Sequence, residues 1–175
     1  MKIRKLISKQ TIQNRVSELA AKISKDYQNK NVLVVAVLNG SFVFCADLIR
    51  QFNFNFATDF VRVSSYKGIK SSGKFKVLSK LKENPKNRHL LIIEDIVDTG
   101  STLDFLNSFF KKHKPLSIKV CCLLNKTFYR KTSAKPHYSG FVLKGDDFVV
   151  GYGLDHNGYH RGLPYIGALV LTKPK

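Results

Sequence analysis

Carboxylates are scarce in this chain: twelve Asp and Glu stand against thirty Lys and Arg in 175 residues, a formal net charge of +18. So uneven a balance points to anionic ligands, meaning phosphates, nucleic acid or an acidic surface, beside the plainer reading of a solvated, lysine-rich face. Cysteine is scarce too. Cys45, Cys121 and Cys122 lie inside apolar stretches with no C-x-x-C spacing and no nearby histidine pairs, which speaks against a disulfide framework or a thiolate metal site and for reduced core residues. No run approaches the 18 apolar residues of a membrane span, and the basic start Met1-Lys-Ile-Arg-Lys-Leu-Ile7 lacks the apolar segment of a signal peptide, so a cytoplasmic protein without membrane attachment is expected. There is no G-x-x-x-x-G-K-[ST], and Gly151-Tyr-Gly153 is not followed by the third Gly and helix of a dinucleotide fold. The five histidines are scattered, and no Ser-His-Asp arrangement can be argued from spacing.

What is present is the patterning of an α/β protein. A chain of 175 residues is expected to form one domain over 1–175, burying roughly two-thirds of its unfolded surface, and no repeat, low-complexity segment or linker divides it. Ile12, Val16, Leu19, Ala20, Ile23 and Tyr27 recur at helical spacing. Asn31 to Leu38 is a mostly β-branched run of the kind a parallel strand covered on both faces requires, and Asn39-Gly-Ser41 turns the chain into a helix from about Phe42 to Arg50. Phe54 to Val63 and Phe75 to Leu78 read as strands around a polar, basic loop, Ser64 to Lys74, which is either a surface loop or a lid over an anionic ligand. Further strands are expected at Ile118 to Leu124, Phe141 to Leu143, Asp147 to Tyr152 and Tyr165 to Leu171. Strands alternating with helices predict a mostly parallel sheet flanked by helices.

The chemistry concentrates in Leu90-Leu-Ile-Ile-Glu-Asp-Ile-Val-Asp-Thr-Gly-Ser-Thr-Leu103. An apolar strand runs into three carboxylates, Glu94, Asp95 and Asp98, then a Thr-Gly-Ser-Thr turn and a helix from about Ser101 to Lys112. The carboxyl end of a strand is where open α/β sheets bind ligands, and the turn offers free backbone N–H groups to an anion. Gly100 permits close backbone approach, while Thr99, Ser101 and Thr102 add hydroxyls, so a metal, a hydroxyl-rich sugar and a phosphate are expected to meet here. Strand alternation points Glu94 and Asp95 to opposite faces, so that only one overhangs the sheet edge.

Ile92 to Thr102 resembles the phosphoribosyl pyrophosphate motif of type I phosphoribosyltransferases. Val37-Leu-Asn-Gly-Ser-Phe42 with Ala46-Asp-Leu48 looks like the pyrophosphate loop of the hypoxanthine-guanine branch, and Ser64-Ser-Tyr66 resembles the opening of its flexible catalytic loop. Asp147 to Tyr165 is similar to its purine-binding hood. The resemblance runs from about residue 30 to 170 and implies a type I phosphoribosyltransferase fold with a small hood, formed mainly by residues 140–175, and a flexible loop over the site.

That resemblance implies the following roles. Glu94 and Asp95 hold the ribose hydroxyls and, with water, Mg²⁺ on ribose and pyrophosphate. Asp98 faces N7 of the purine as general base, and Asp98, Thr99, Gly100, Ser101 and Thr102 wrap the 5′-phosphate. Lys126 binds the 6-oxo group, Phe148 stacks on the base, and the backbone at Val149 meets its exocyclic edge. Asp155 ligates a second Mg²⁺, Arg161 contacts pyrophosphate, and Asn39 and Gly40 form the pyrophosphate loop, where many relatives carry Lys or Arg in place of Asn39. The implied activity is purine salvage: transfer of phosphoribosyl from phosphoribosyl pyrophosphate to hypoxanthine or guanine, by a homodimer or homotetramer. The alternatives are a xanthine-accepting relative and an RNA-binding regulator on the same fold, to which the basic charge lends weight although no RNA-binding signature accompanies it.

Overall fold

The computed structural model describes residues 2–65, 75–79 and 81–170. Its central strand, β2 (Val32–Leu38), is buried along all but its last residue, as its VLVVAVL sequence demands. On one side β2 pairs in parallel with β3 (Phe56–Ser65), and on the other with β5 (His89–Val97). Beyond β5 come β6 (Ser117–Lys126) and β7 (Tyr138–Leu143), both parallel, while the short β4 (Phe75–Val77) adds antiparallel to β3 at the opposite edge. The order of this six-stranded sheet is therefore β4-β3-β2-β5-β6-β7.

Helices cover both faces because successive strand residues alternate between them. Val32, Val34, Ala36, Leu91 and Ile93 pack with α1 (Lys9–Tyr27) and α2 (Phe42–Ile49). Leu33, Val35, Leu90, Ile92 and Val120 pack under α3 (Ser101–Lys111), which contributes Leu103, Leu106 and Phe110. Phe110 has no exposed surface, so Phe110→Ala is expected to cost about 3–5 kcal/mol, read as a lower urea midpoint at unchanged m-value. All three cysteines are free and buried, and burial pushes the Cys45 thiol up to about 11 and Cys122 to about 12. Among the described residues no helix is long and apolar enough to cross a membrane.

A second sheet has three strands in the order β1-β9-β8, from β1 (Lys2–Ile7), β8 (Val149–Val150) and β9 (Ile166–Val170). β1 pairs antiparallel with β9, a role that the basic N-terminal sequence does not announce. The strand expected over Asp147 to Tyr152 shrinks to the two residues of β8 because Gly151, Tyr152 and Gly153 all adopt positive φ, between 51° and 101°, which breaks the extended run. Ser64 and Ser65 close β3 opposite Lys76 and Phe75. Tyr66 and the remainder of the predicted lid, 66–74, lie outside the described residues.

Candidate active site

The sheet splits at one place. Pairing of β2 with β5 ends at Ala36–Ile93, whereas β2–β3 continues to Leu38–Arg62 and β5–β6 to Val97–Asn125. The chain leaves β2 towards β3 and leaves β5 towards β6, on opposite sides of this gap. A crevice at the carboxyl ends of two such diverging strands is where open α/β sheets bind ligands. Here it is a polar cavity of about 290 Å³, into which come Asn39 and Gly40 from the turn after β2, Glu94 and Asp95 from β5, and Thr102 from α3. Asp155 and Arg161 close its far side, and Val63 and Phe75, which sequence reading did not single out, supply apolar wall.

Glu94 and Asp95 both line this cavity. That corrects the expectation that only one overhangs: the alternation of β5 breaks across this pair, since Ile93 and Ile96, three residues apart, pack into the same layer. Glu94 is buried and Asp95 half-buried. Burial, with the Asp95 charge added to it, pushes the Glu94 carboxyl well above the usual carboxylate range; burial also raises Asp95, against hydrogen bonds from Glu94 and the Ile96 amide that lower it. The Asp95 carboxylate lies against the glycine of the preceding turn so closely that a Cβ on Gly40 would overlap Oδ2 and stand 2.5 Å from Cγ. The Leu38–Asn39 peptide bond beside it is cis.

Two carboxylates at the edge of a polar cavity are the donor set Mg²⁺ takes when substrate phosphates and water complete its shell. Among the described residues no three metal-ligating side chains converge on one point. Asp155 is instead paired with Arg161 at 2.6 Å and accepts the Gly158 amide at 2.7 Å, while Arg161 also donates to the Gly153 carbonyl at 2.6 Å.

The turn after β5 gathers a left-handed glycine, two linked hydroxyls and a carboxylate. Gly100, at φ +88°, caps α3 in the left-handed region, and any side chain there would overlap the Thr132 hydroxyl. Thr99 Oγ1 accepts the Ser101 amide at 3.3 Å and donates to Ser101 Oγ at 3.2 Å, which draws both hydroxyls onto one side of the turn. Asp98 opens it, and its Oδ1 is buried with no hydrogen-bond partner among the described residues. A buried carboxylate oxygen left without a donor is costly unless a ligand supplies one.

Asp98 and Lys126 follow directly on the last register pair of β5 and β6, Val97–Asn125. Lys126 is only 6% exposed, yet its ammonium meets just the carbonyls of Asp147 at 3.1 Å and Asp146 at 3.5 Å, and the Tyr129 ring at 5.6 Å. No carboxylate pairs with it among the described residues, an expensive position for a cation that no anionic or carbonyl ligand shares. Phe148 leaves 54% of its surface free and stands edge-on to His156, with ring centroids 5.3 Å apart, and Val149 is buried in β8 opposite Ala168. Sequence reading passed over Arg130, in a segment it took as merely polar and basic. Its guanidinium donates to the carbonyl oxygens of Asp98 and Lys126, both at 2.9 Å.

The chain is similar to known proteins over most of its length. The model of the family described as phosphoribosyl transferase domain matches residues 6–157. The hypoxanthine-guanine phosphoribosyltransferase of Bacillus subtilis (strain 168) is 44% identical over 165 residues, 94% of this chain and 91% of that protein. The hypoxanthine-guanine-xanthine phosphoribosyltransferase of Tritrichomonas foetus is 39% identical over 167 residues, 95% of this chain and 91% of that protein. A crystal structure of a hypoxanthine-guanine phosphoribosyltransferase from Bacillus anthracis superposes with a TM-score of 0.91 at 41% identity, covering 97% of this chain and 100% of that one.

Proposed function

The chain belongs to the phosphoribosyl transferase family and has the type I fold of its structural relatives, and on that premise we propose that it moves the 5-phosphoribosyl group from phosphoribosyl pyrophosphate to hypoxanthine or guanine. The products are IMP or GMP and pyrophosphate. The observation that carries this reading is the pair on adjoining strand ends: among the described residues Asp98 has an orphaned acceptor, and Lys126 a buried ammonium that no carboxylate neutralises. A 6-oxopurine offers the complement, an N7–H donor beside a carbonyl oxygen.

In this assignment the turn from Asp98 to Thr102 takes the 5′-phosphate on its amides and hydroxyls, and Glu94 and Asp95 take the ribose hydroxyls. Arg161 and the backbone of Asn39 and Gly40 border the pyrophosphate. Glu94 and Asp95 would also hold Mg²⁺, with Asp155 able to join only by giving up part of its pair with Arg161; the ion supplies neutralisation of charge on the leaving pyrophosphate. N9 of the purine attacks C1 of the ribose as the C1–oxygen bond to pyrophosphate breaks, and the N7 proton passes to Asp98. Phe148 offers its exposed face to the base, and Lys126 donates to the 6-oxo oxygen.

Lys126 also rejects adenine, whose 6-amino group would set donor against donor. Lys126→Ala is therefore expected to raise the hypoxanthine KM by about tenfold or more and to narrow the preference over adenine; strict preference at unchanged KM would refute the role. The activity itself is tested with phosphoribosyl pyrophosphate, Mg²⁺ and hypoxanthine, guanine, xanthine, adenine or uracil in parallel, following pyrophosphate release. Turnover with hypoxanthine and guanine is expected. Turnover confined to adenine or uracil, or none at all, overturns the reading, and the xanthine arm decides whether the chain shares the range named for the Tritrichomonas relative.

A further inference from the structure

We propose that Arg130 is a positioning residue whose guanidinium sets the spacing between Asp98 and Lys126, and so tunes the site to 6-oxopurines. This rests on assigning those two residues to the purine, as above.

The inference starts from what the sheet lacks at this point. The β5–β6 ladder ends at Val97–Asn125, and the next residues on either strand are Asp98 and Lys126. Neither has a backbone pairing to hold it against the other, although one faces the purine N7 and the other its 6-oxo oxygen. Arg130 fills that gap. Its Nε donates to the Asp98 carbonyl at 2.9 Å; one terminal nitrogen donates to the carbonyls of Lys126 at 2.9 Å and Val97 at 3.2 Å and to Asn125 Oδ1 at 2.6 Å. The other terminal nitrogen reaches the Ala134 carbonyl at 2.7 Å, which ties the side chain back to its own loop.

Every one of these acceptors is neutral, so the group acts as a geometric brace across two strand ends and not as half of an ion pair. A planar fork of fixed N–H directions suits that task, and a lysine ammonium, a point donor on a flexible stem, does not. The same loop backs the phosphate turn, since the Lys131 amide donates to the Thr99 carbonyl at 2.9 Å. Arg130 touches no substrate in this arrangement. It acts through the main chain of two residues that do.

The test is steady-state kinetics on Arg130→Lys, Arg130→Ala and Asn125→Leu, each with hypoxanthine and adenine, with and without added guanidinium. A 1 Å misplacement of a binding group costs up to about a hundredfold, so Arg130→Lys is expected to lose about ten- to a hundredfold in kcat/KM for hypoxanthine, mostly through KM, with a smaller preference over adenine. Asn125→Leu, which keeps the guanidinium and removes one anchor, should move the same quantities less. Guanidinium should restore Arg130→Ala in part. A merely structural role would lower the active fraction, scaling kcat for both purines together at constant KM, and that pattern overturns the proposal. If Arg130→Ala does not fold, the lysine and Asn125 variants decide by the same criterion. Unchanged purine KM in both, beside an active wild type, overturns the brace alone; a wild type inactive on every purine overturns the preceding reading and the brace with it.

Discussion

Asp98→Asn is expected to lower kcat with guanine by about 10²- to 10⁴-fold while leaving the KM for phosphoribosyl pyrophosphate in place. The substitution is nearly isosteric, so the turn that follows, with Gly100 at the cap of α3 and Thr99 bound to Ser101, keeps its shape and with it the hold on the phosphate proposed for it. What is lost is the capacity to accept a proton. Among the described residues no donor meets the buried Asp98 Oδ1, a desolvation cost that the proposed N7–H would offset, through a hydrogen bond that would strengthen as positive charge develops on the purine. An interaction made chiefly in the transition state appears in kcat and not in the affinity for the other substrate. Stopped-flow or steady-state rates decide it, and a wild-type kcat would remove Asp98 from the chemistry.

The second large effect is expected from adding a single methyl group. Gly40→Ala puts a Cβ into the Asp95 carboxylate, overlapping Oδ2, so the carboxylate must turn out of its place in the cavity or the loop must withdraw. Asp95 is held where it is by the Ile96 amide, which Oδ1 accepts at 2.8 Å, and by its packing beside buried Glu94. If it serves ribose and metal as proposed, kcat/KM for phosphoribosyl pyrophosphate should fall about a hundredfold, or about 2.7 kcal/mol of transition-state stabilisation. Gly145→Ala, where nothing lies within 4 Å of the added Cβ, is the matched control and should behave as wild type. Equal kinetics in both variants would show that Asp95 can leave its position without consequence.

Much of this site could be read from the chain because its parts are local. A strand, three carboxylates and a glycine turn lie within fourteen consecutive residues, Leu90 to Leu103, and strand and helix chemistry alone places them at a ligand-binding edge. β2 was legible for a similar reason: a strand covered on both faces must be apolar at every position, and Val32 to Val37 are. What escaped was set by partners far away in sequence. KIRKLI carries three cations, and it becomes a strand only because β9 provides the facing edge. The shared cavity of Glu94 and Asp95 goes with a break in the alternation of β5, where Ile93 and Ile96 pack into one layer, and the residue pattern of the strand does not announce it. Arg130 was invisible because its acceptors are mostly main-chain carbonyls, and these leave no mark on residue identity.

The three-stranded sheet has a consequence for the order in which the protein is made. β8, which carries Val149 beside Phe148, leans on β9, and β9 leans on β1, the first of the described strands to be translated and the last to find its neighbour. At roughly 5–20 residues per second, β1 waits about 8–30 s after its own synthesis before Ile166 to Val170 are translated. By then β2, β5 and the turn between Asp98 and Thr102 have long been available to fold. The turn proposed for the sugar phosphate can thus form while the chain is still being made, whereas β8, and with it the setting of Phe148, waits for β9.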